Sequence, residues 1–174
     1  MESSNSQAQE RADRILDSAP EEGASIVVDG RPSAQGMEGF FVGASLVDHV
    51  QPGMQVYDEE IFAPVLSVVR VNTYDEAVDL INSNNFANGV ALFTRDGRTA
   101  REFQMDIEVG MVGINVPIPV PIGAFSFGGW KDSLFGDTHM YGPESFNFYT
   151  RSKVVTTRWP LPNESQIELG FPTH

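Results

Sequence analysis

The stretch from Ile61 to Val116 constrains the fold most, because its hydrophobic pattern alternates between strand and helix. Ile61 to Val71 is rich in valine, and Pro64 within it belongs at the edge or the start of a strand, where no ladder amide is needed. In Thr73-Tyr74-Asp75-Glu76, Thr73 can cap a helix through its hydroxyl and Glu76 can reach back to the cap amide. Ala77, Leu80 and Ile81 supply the apolar face of that helix, which stops in the polar cluster Asn82 to Asn85. Val90 to Phe93 reads as a strand and Asp96-Gly97 as a turn. Thr99 to Ile107 reads as a second helix with Ala100, Phe103 and Ile107 in register, and Met111 to Val116 as a buried strand. This order predicts an α/β architecture, a mostly parallel sheet with right-handed crossovers and flanking helices.

The flanks are less regular. Met1 to Ala8 is expected to be disordered, Glu10 to Leu16 to be helical up to Pro20 and Gly23, and Ser25 to Val28 to form a short strand running into the Asp29-Gly30 turn. Phe40 to Val50 alternates enough for another strand. Downstream, Pro117, Pro119 and Pro121 alternate with apolar residues, which forces an extended segment without regular hydrogen bonding. Phe125 to Gly136 is rich in glycine and aromatics. Pro143 to Phe148 suits a helical turn, Lys153 to Trp159 a final strand, and the residues from Pro160 onward a loose tail. The 174 residues suffice for one domain with a real core.

Charge and composition exclude several classes of function. Hydrophobic residues make up 41% of the chain and charged residues 20%, a globular balance. The net charge is -13, and the only lysines are Lys131 and Lys153. A field of that sign repels phosphate backbones and anionic lipid, so neither nucleic acid nor a membrane surface is an expected partner. It suits either an ordinary acidic surface or a high-salt setting in which screening relieves self-repulsion. No residue is a cysteine, which removes disulfides, thiolate metal sites and a cysteine nucleophile from this chain. Met1 to Arg11 lacks the apolar region of a secretory signal, and no apolar run approaches the span of a bilayer, so the expected location is cytoplasmic.

Phosphate-binding glycine loops and zinc-binding H-E-x-x-H are absent. Asp132, Asp137 and His139 lack the spacing of a metal site, and Ser133 lacks the elbow of a hydrolase nucleophile. Two other segments carry more. In Asp58-Glu59-Glu60-Ile61-Phe62-Ala63-Pro64, an ionised carboxylate at a strand entrance can accept both hydroxyl protons of a ribose, and the phenyl two residues on can pack on a flat heterocycle. Extended backbone would put Glu60 and Phe62 on one side. From the residues alone, an acidic turn leading into a strand with a core phenylalanine is the favoured reading. The second segment is Gly113-Ile114-Asn115, the alternating prolines, then Ser126-Phe127-Gly128-Gly129-Trp130-Lys131. Its aromatics suit an apolar pocket mouth or an aromatic corner of the core.

Taken together, these segments resemble the aldehyde dehydrogenase superfamily. Members carry an E-E-I-F-G-P element, a strand ending in asparagine, an F-G-G-[YW]-K-x-S-x-x-G loop and a final Y-T-x-x-K-x-V strand. All four occur here in that order, the last as Tyr149-Thr150-Arg151-Ser152-Lys153-Val154-Val155, with Ala63 where glycine is usual. Gly113-Ile114-Asn115-Val116-Pro117-Ile118-Pro119-Val120-Pro121, Leu134 to Asp137 and Val154 to Trp159 are similar to the coenzyme A-acylating branch, the methylmalonate-semialdehyde dehydrogenases. The resemblance implies the carboxy-terminal part of such a catalytic domain over 9–149, an oligomerisation strand over 150–159 and a homo-oligomer or a complementing amino-terminal half as partner. It implies NAD and coenzyme A as cofactor and co-substrate, and a semialdehyde as substrate. By matching positions, Glu60 would hold the nicotinamide ribose, Phe62 would pack near the nicotinamide, and Phe127 would border the substrate tunnel. Family members attack the aldehyde with a cysteine thiolate, so the resemblance implies that this chain is inactive alone. The rival expectation is a non-catalytic interaction module.

Overall fold

Asn5 starts the first helix, its side-chain oxygen accepting the Ala8 amide at 2.9 Å. The structure, a computed structural model, describes residues 5–157 and 159. Helix α1 runs Ser6–Glu21, ending between Pro20 and Gly23 as expected but starting before Glu10, and residues 6–8, expected to be disordered, form its first turn. Its cap explains the difference, since Asn5 satisfies an amide that a frayed terminus would leave to water. Ala12, Ile15, Leu16 and Ala19 fall on one face at helical spacing and are almost wholly buried.

Strand β1 (Ser25–Val28) is followed by the single-turn helix α2 (Arg31–Ala34), then β2 (Ser45–Asp48), the short helix α3 (Gln55–Asp58) and β3 (Val65–Ser67). β1 pairs antiparallel with β2, and β2 pairs parallel with β3. The apolar face of α1 closes over this sheet, where Ile15, Leu16 and Ala19 meet Val47, Val50, Met54 and Val56 in one buried cluster. Burial of each large side chain there stabilises the fold by about 1.5–3 kcal/mol.

Two compact units make up the chain, the first ending at Asp79 and the second beginning at Leu80. Helix α4 (Tyr74–Ser83) spans that boundary and opens on the expected Thr73 cap: the Glu76 amide donates to Thr73 Oγ1 at 3.2 Å, while the Glu76 carboxylate reaches one residue past the cap to accept the Asn72 amide at 2.7 Å. In the second unit follow β4 (Phe86–Ala87), β5 (Gly89–Leu92), α5 (Gly97–Asp106), β6 (Met111–Ile114) and β7 (Trp130–Lys131), then a 3-10 turn (Gly142–Glu144) and α6 (Ser145–Tyr149). α5 is the crossover between β5 and β6, which pair parallel, and β4 pairs antiparallel with β7. Asp96 caps α5 through the Arg98 amide at 2.9 Å, and Phe103, Ile107 and Val109 are buried with Ala87.

The architecture is therefore α/β, but as small mixed sheets rather than one mostly parallel sheet. The expected strand from Ile61 shrinks to Val65–Ser67 because Phe62 adopts a left-handed backbone and Pro64 has no amide, which breaks pairing before Val65. It pairs with upstream β2 and so does not extend the β5–β6 pair. The expected terminal strand does not form among the described residues: 153–157 have no sheet partner, and Val154, Val155 and Trp159 stay exposed. A ladder needs a second edge, and the expectation places that edge on another subunit. The expected tail from Pro160 lies outside the described residues.

Candidate functional site

Glu60 lies two residues after the end of α3 and precedes β3, in a loop with no regular structure. Its side chain is exposed, and its carboxylate has no hydrogen-bond or ion-pair partner among the described residues. Phe62 is 83% exposed and has φ 55°, a left-handed conformation that β-carbon-bearing residues rarely adopt. The sequence reading of a core phenylalanine is thus ruled out, and so is the extended backbone that would have aligned Glu60 with Phe62. What the loop presents is a free carboxylate and an apolar ring, two residues apart, on strained backbone.

One guanidinium braces this loop. Arg11 on α1 donates from Nη1 to the Glu60 carbonyl at 2.8 Å and to the Ile61 carbonyl at 3.1 Å, and from Nη2 to Glu59 Oε2 at 2.8 Å. The other Glu59 oxygen accepts Gln55 Nε2 at 2.8 Å. The Gln55 amide, and after it Arg11, hold the Glu59 carboxyl below its ordinary range. Nothing in the sequence pointed to Arg11, which lies 48 to 50 residues from its partners.

Phe127 belongs to the second unit, and its half-buried ring stacks on Tyr141 with centroids 5.0 Å apart and planes 12° from parallel. The Ser126 hydroxyl donates to the Tyr141 carbonyl at 3.0 Å. Glycine follows for a steric reason. A Cβ on Gly128 would lie 2.9 Å from the His139 ring, and one on Gly129 would lie 2.4 Å from the Ser133 Cβ. Ser133 Oγ accepts the Ala87 amide at 2.9 Å, a structural use that takes the place of the nucleophile considered for it. Lys131 Nζ donates to the Asn82 carbonyl at 2.5 Å and the Asn84 carbonyl at 3.2 Å, a cation at the carboxy end of α4. Asn115, at the end of β6, exchanges two bonds with the Thr94 backbone, at 2.9 and 3.0 Å. That amide pair ties the ends of β5 and β6 together.

The model of the aldehyde dehydrogenase family matches residues 3–155. The chain belongs to the aldehyde dehydrogenase family. Within the family it is 57% identical over 169 residues to malonate-semialdehyde dehydrogenase of Pseudomonas aeruginosa, covering 95% of this chain and 34% of that one. The structure of methylmalonate-semialdehyde dehydrogenase from Oceanimonas doudoroffii superposes with a TM-score of 0.81 at 55% identity, over 90% of this chain and 33% of the other. An NAD complex of a Sinorhizobium meliloti 1021 protein assigned as a methylmalonate-semialdehyde dehydrogenase superposes at 0.84 with 50% identity, over 92% and 33%. The chain spans about a third of the length of these relatives.

Glu60 and Phe62 share one loop of the first unit, and Phe127 lies in the second, with its own surroundings. Among the described residues no three histidine, aspartate or glutamate side chains converge on a common point, and no helix is long and apolar enough to cross a membrane.

Proposed function

We propose that this chain is the carboxy-terminal third of an NAD-dependent, coenzyme A-acylating dehydrogenase of malonate or methylmalonate semialdehyde. The observation that carries the reading is the Glu60–Phe62 loop, a carboxylate with no partner among the described residues and, two residues on, an exposed ring, in a chain 57% identical to a malonate-semialdehyde dehydrogenase. These residues fit a nicotinamide riboside: the carboxylate oxygens accept the two ribose hydroxyls, and the ring covers one face of the base. The bound nicotinamide would supply the hydride acceptor. Glu60 then fixes the ribose, Phe62 restricts how the base turns, and Phe127, held against Tyr141, forms part of an apolar wall for the acyl chain.

The chain has no cysteine, so by itself it has no thiol to attack an aldehyde, and its activity rests on the remaining two thirds of such an enzyme. A second reading, an assembly module, is favoured by the exposed Val154, Val155 and Trp159, an apolar edge suited to pairing with another subunit. The test of the first reading is Glu60→Gln in the chain joined to the amino-terminal part of the Pseudomonas relative. The amide keeps the shape but loses a charge-assisted bond worth about 1.5–3 kcal/mol. Turnover or the KM for NAD should worsen by the corresponding factor, about 10- to 150-fold. Unchanged values for both remove Glu60 from the site.

A further inference from the structure

We infer that Arg11 is a positioning residue for the cofactor-facing loop, setting the backbone of Glu60 and Phe62 from helix α1. This rests on the reading of that loop as the nicotinamide riboside site. The geometry is specific. A single planar group reaches three consecutive residues, the Glu59 carboxylate and the carbonyls of Glu60 and Ile61, and the next residue is the left-handed Phe62. Left-handed backbone at a residue with a β-carbon costs about 1–2 kcal/mol, so something must hold it, and the 83% exposed ring makes too little contact to do so.

The brace is itself fixed. Ala12, Ile15 and Leu16, which share the turns around Arg11, are 0%, 1% and 0% exposed, so α1 cannot shift without opening the core of the first unit. Arg11 takes the Glu60 carbonyl and leaves the Glu60 carboxylate free. An arginine paired with that carboxylate would instead compete with a ribose for it. Lysine cannot replace it, because an ammonium offers a point charge where the rigid fork spans three acceptors. The ion pair with Glu59 is open to water on both sides and weak alone, so the effect comes from the three bonds acting on one loop.

The experiment uses the 174-residue chain, labelled for NMR, as the native protein and as Arg11→Gln, Arg11→Lys and Glu59→Ala, with nicotinamide riboside as the probe. In the native chain the backbone order parameters of Glu60, Ile61 and Phe62 should lie near about 0.85, and Phe62 should show left-handed Cα shifts; in Arg11→Gln the order parameters should fall below about 0.6. Resonances of β1 to β3 should stay in place, Arg11→Lys should recover less than half of the lost order, and Glu59→Ala, which leaves α1 untouched, should loosen the same three residues to a smaller degree. Millimolar probe should move the Glu60 and Phe62 amides in the native chain and move them less in Arg11→Gln. Phe62 left-handed and rigid in both Arg11→Gln and Glu59→Ala would overturn the inference, as would full recovery by lysine. A loop that loosens as expected, with native amides that ignore the probe, would instead sink the riboside reading while leaving the brace standing.

Discussion

Replacing Phe62 with glycine separates the strain in this loop from the packing it would be assumed to provide. The residue sits at φ 55° and is 83% exposed. Glycine relieves about 1–2 kcal/mol of left-handed strain. It returns about 0.4–1 kcal/mol through the greater freedom of the unfolded chain. The small buried part of the ring, about a sixth of a side chain whose full burial is worth at most about 3 kcal/mol, gives up a further 0.5 kcal/mol or so. These opposing effects leave Phe62→Gly within about 1 kcal/mol of the native chain, whereas truncating a buried phenylalanine costs about 3–5 kcal/mol. Urea unfolding followed by circular dichroism should show a midpoint almost unmoved, and Tm should move by no more than about 4 °C. A loss of 2 kcal/mol or more would show that the ring is packed or the backbone unstrained, and would refute the description of this loop.

Three further outcomes follow from other contacts. Gly129→Ala should destabilise the second unit by about 1–3 kcal/mol, because the new Cβ would sit 2.4 Å from the Ser133 Cβ and 3.1 Å from the Asn88 backbone; a chemical melt equal to that of the native chain would contradict this. The Asp48 carboxyl is lowered from 3.8 to about 2, chiefly by its bonds to Arg70. Its contribution is therefore present above about pH 3.8 and lost as pH falls towards 2, so Arg70→Gln should narrow the gap in stability between pH 5 and pH 2; an equal acid loss in both proteins would refute the linkage. The -13 charge opposes association at low salt, so added salt should promote self-association through the exposed Val154, Val155 and Trp159. Light scattering should register larger species, and deletion from Arg151 should remove them; a monomer at every salt concentration would exclude the edge as an interface.

Much of the local structure was legible because it is written in short-range signals. The capping box at Thr73 and the apolar spacing of Ala100, Phe103 and Ile107 located α4 and α5 from residues a few positions apart. The two-residue strands β4 and β7 carry no period at all, so their pairing of Phe86 with Lys131 was invisible. Sheet partners are long-range choices, and an extended reading of 61–71 could not show that Phe62 turns left-handed and that β3 joins β2. The candidate site divided the same way. Glu60, Phe62 and Phe127 were singled out by their motifs, while the brace from Arg11 spans about 50 residues and follows only from how α1 packs.

The proposed function, one part of a semialdehyde dehydrogenase, meets its most direct test in the rate of NAD reduction with malonate semialdehyde and coenzyme A. The 174-residue chain alone should give no rate above the uncatalysed background, for want of a thiol nucleophile. Joined to the amino-terminal two thirds of the Pseudomonas relative, it should produce reduced cofactor and acyl-coenzyme A together. Turnover by the chain alone, or a folded and NAD-binding joined protein that produces neither, would contradict the account.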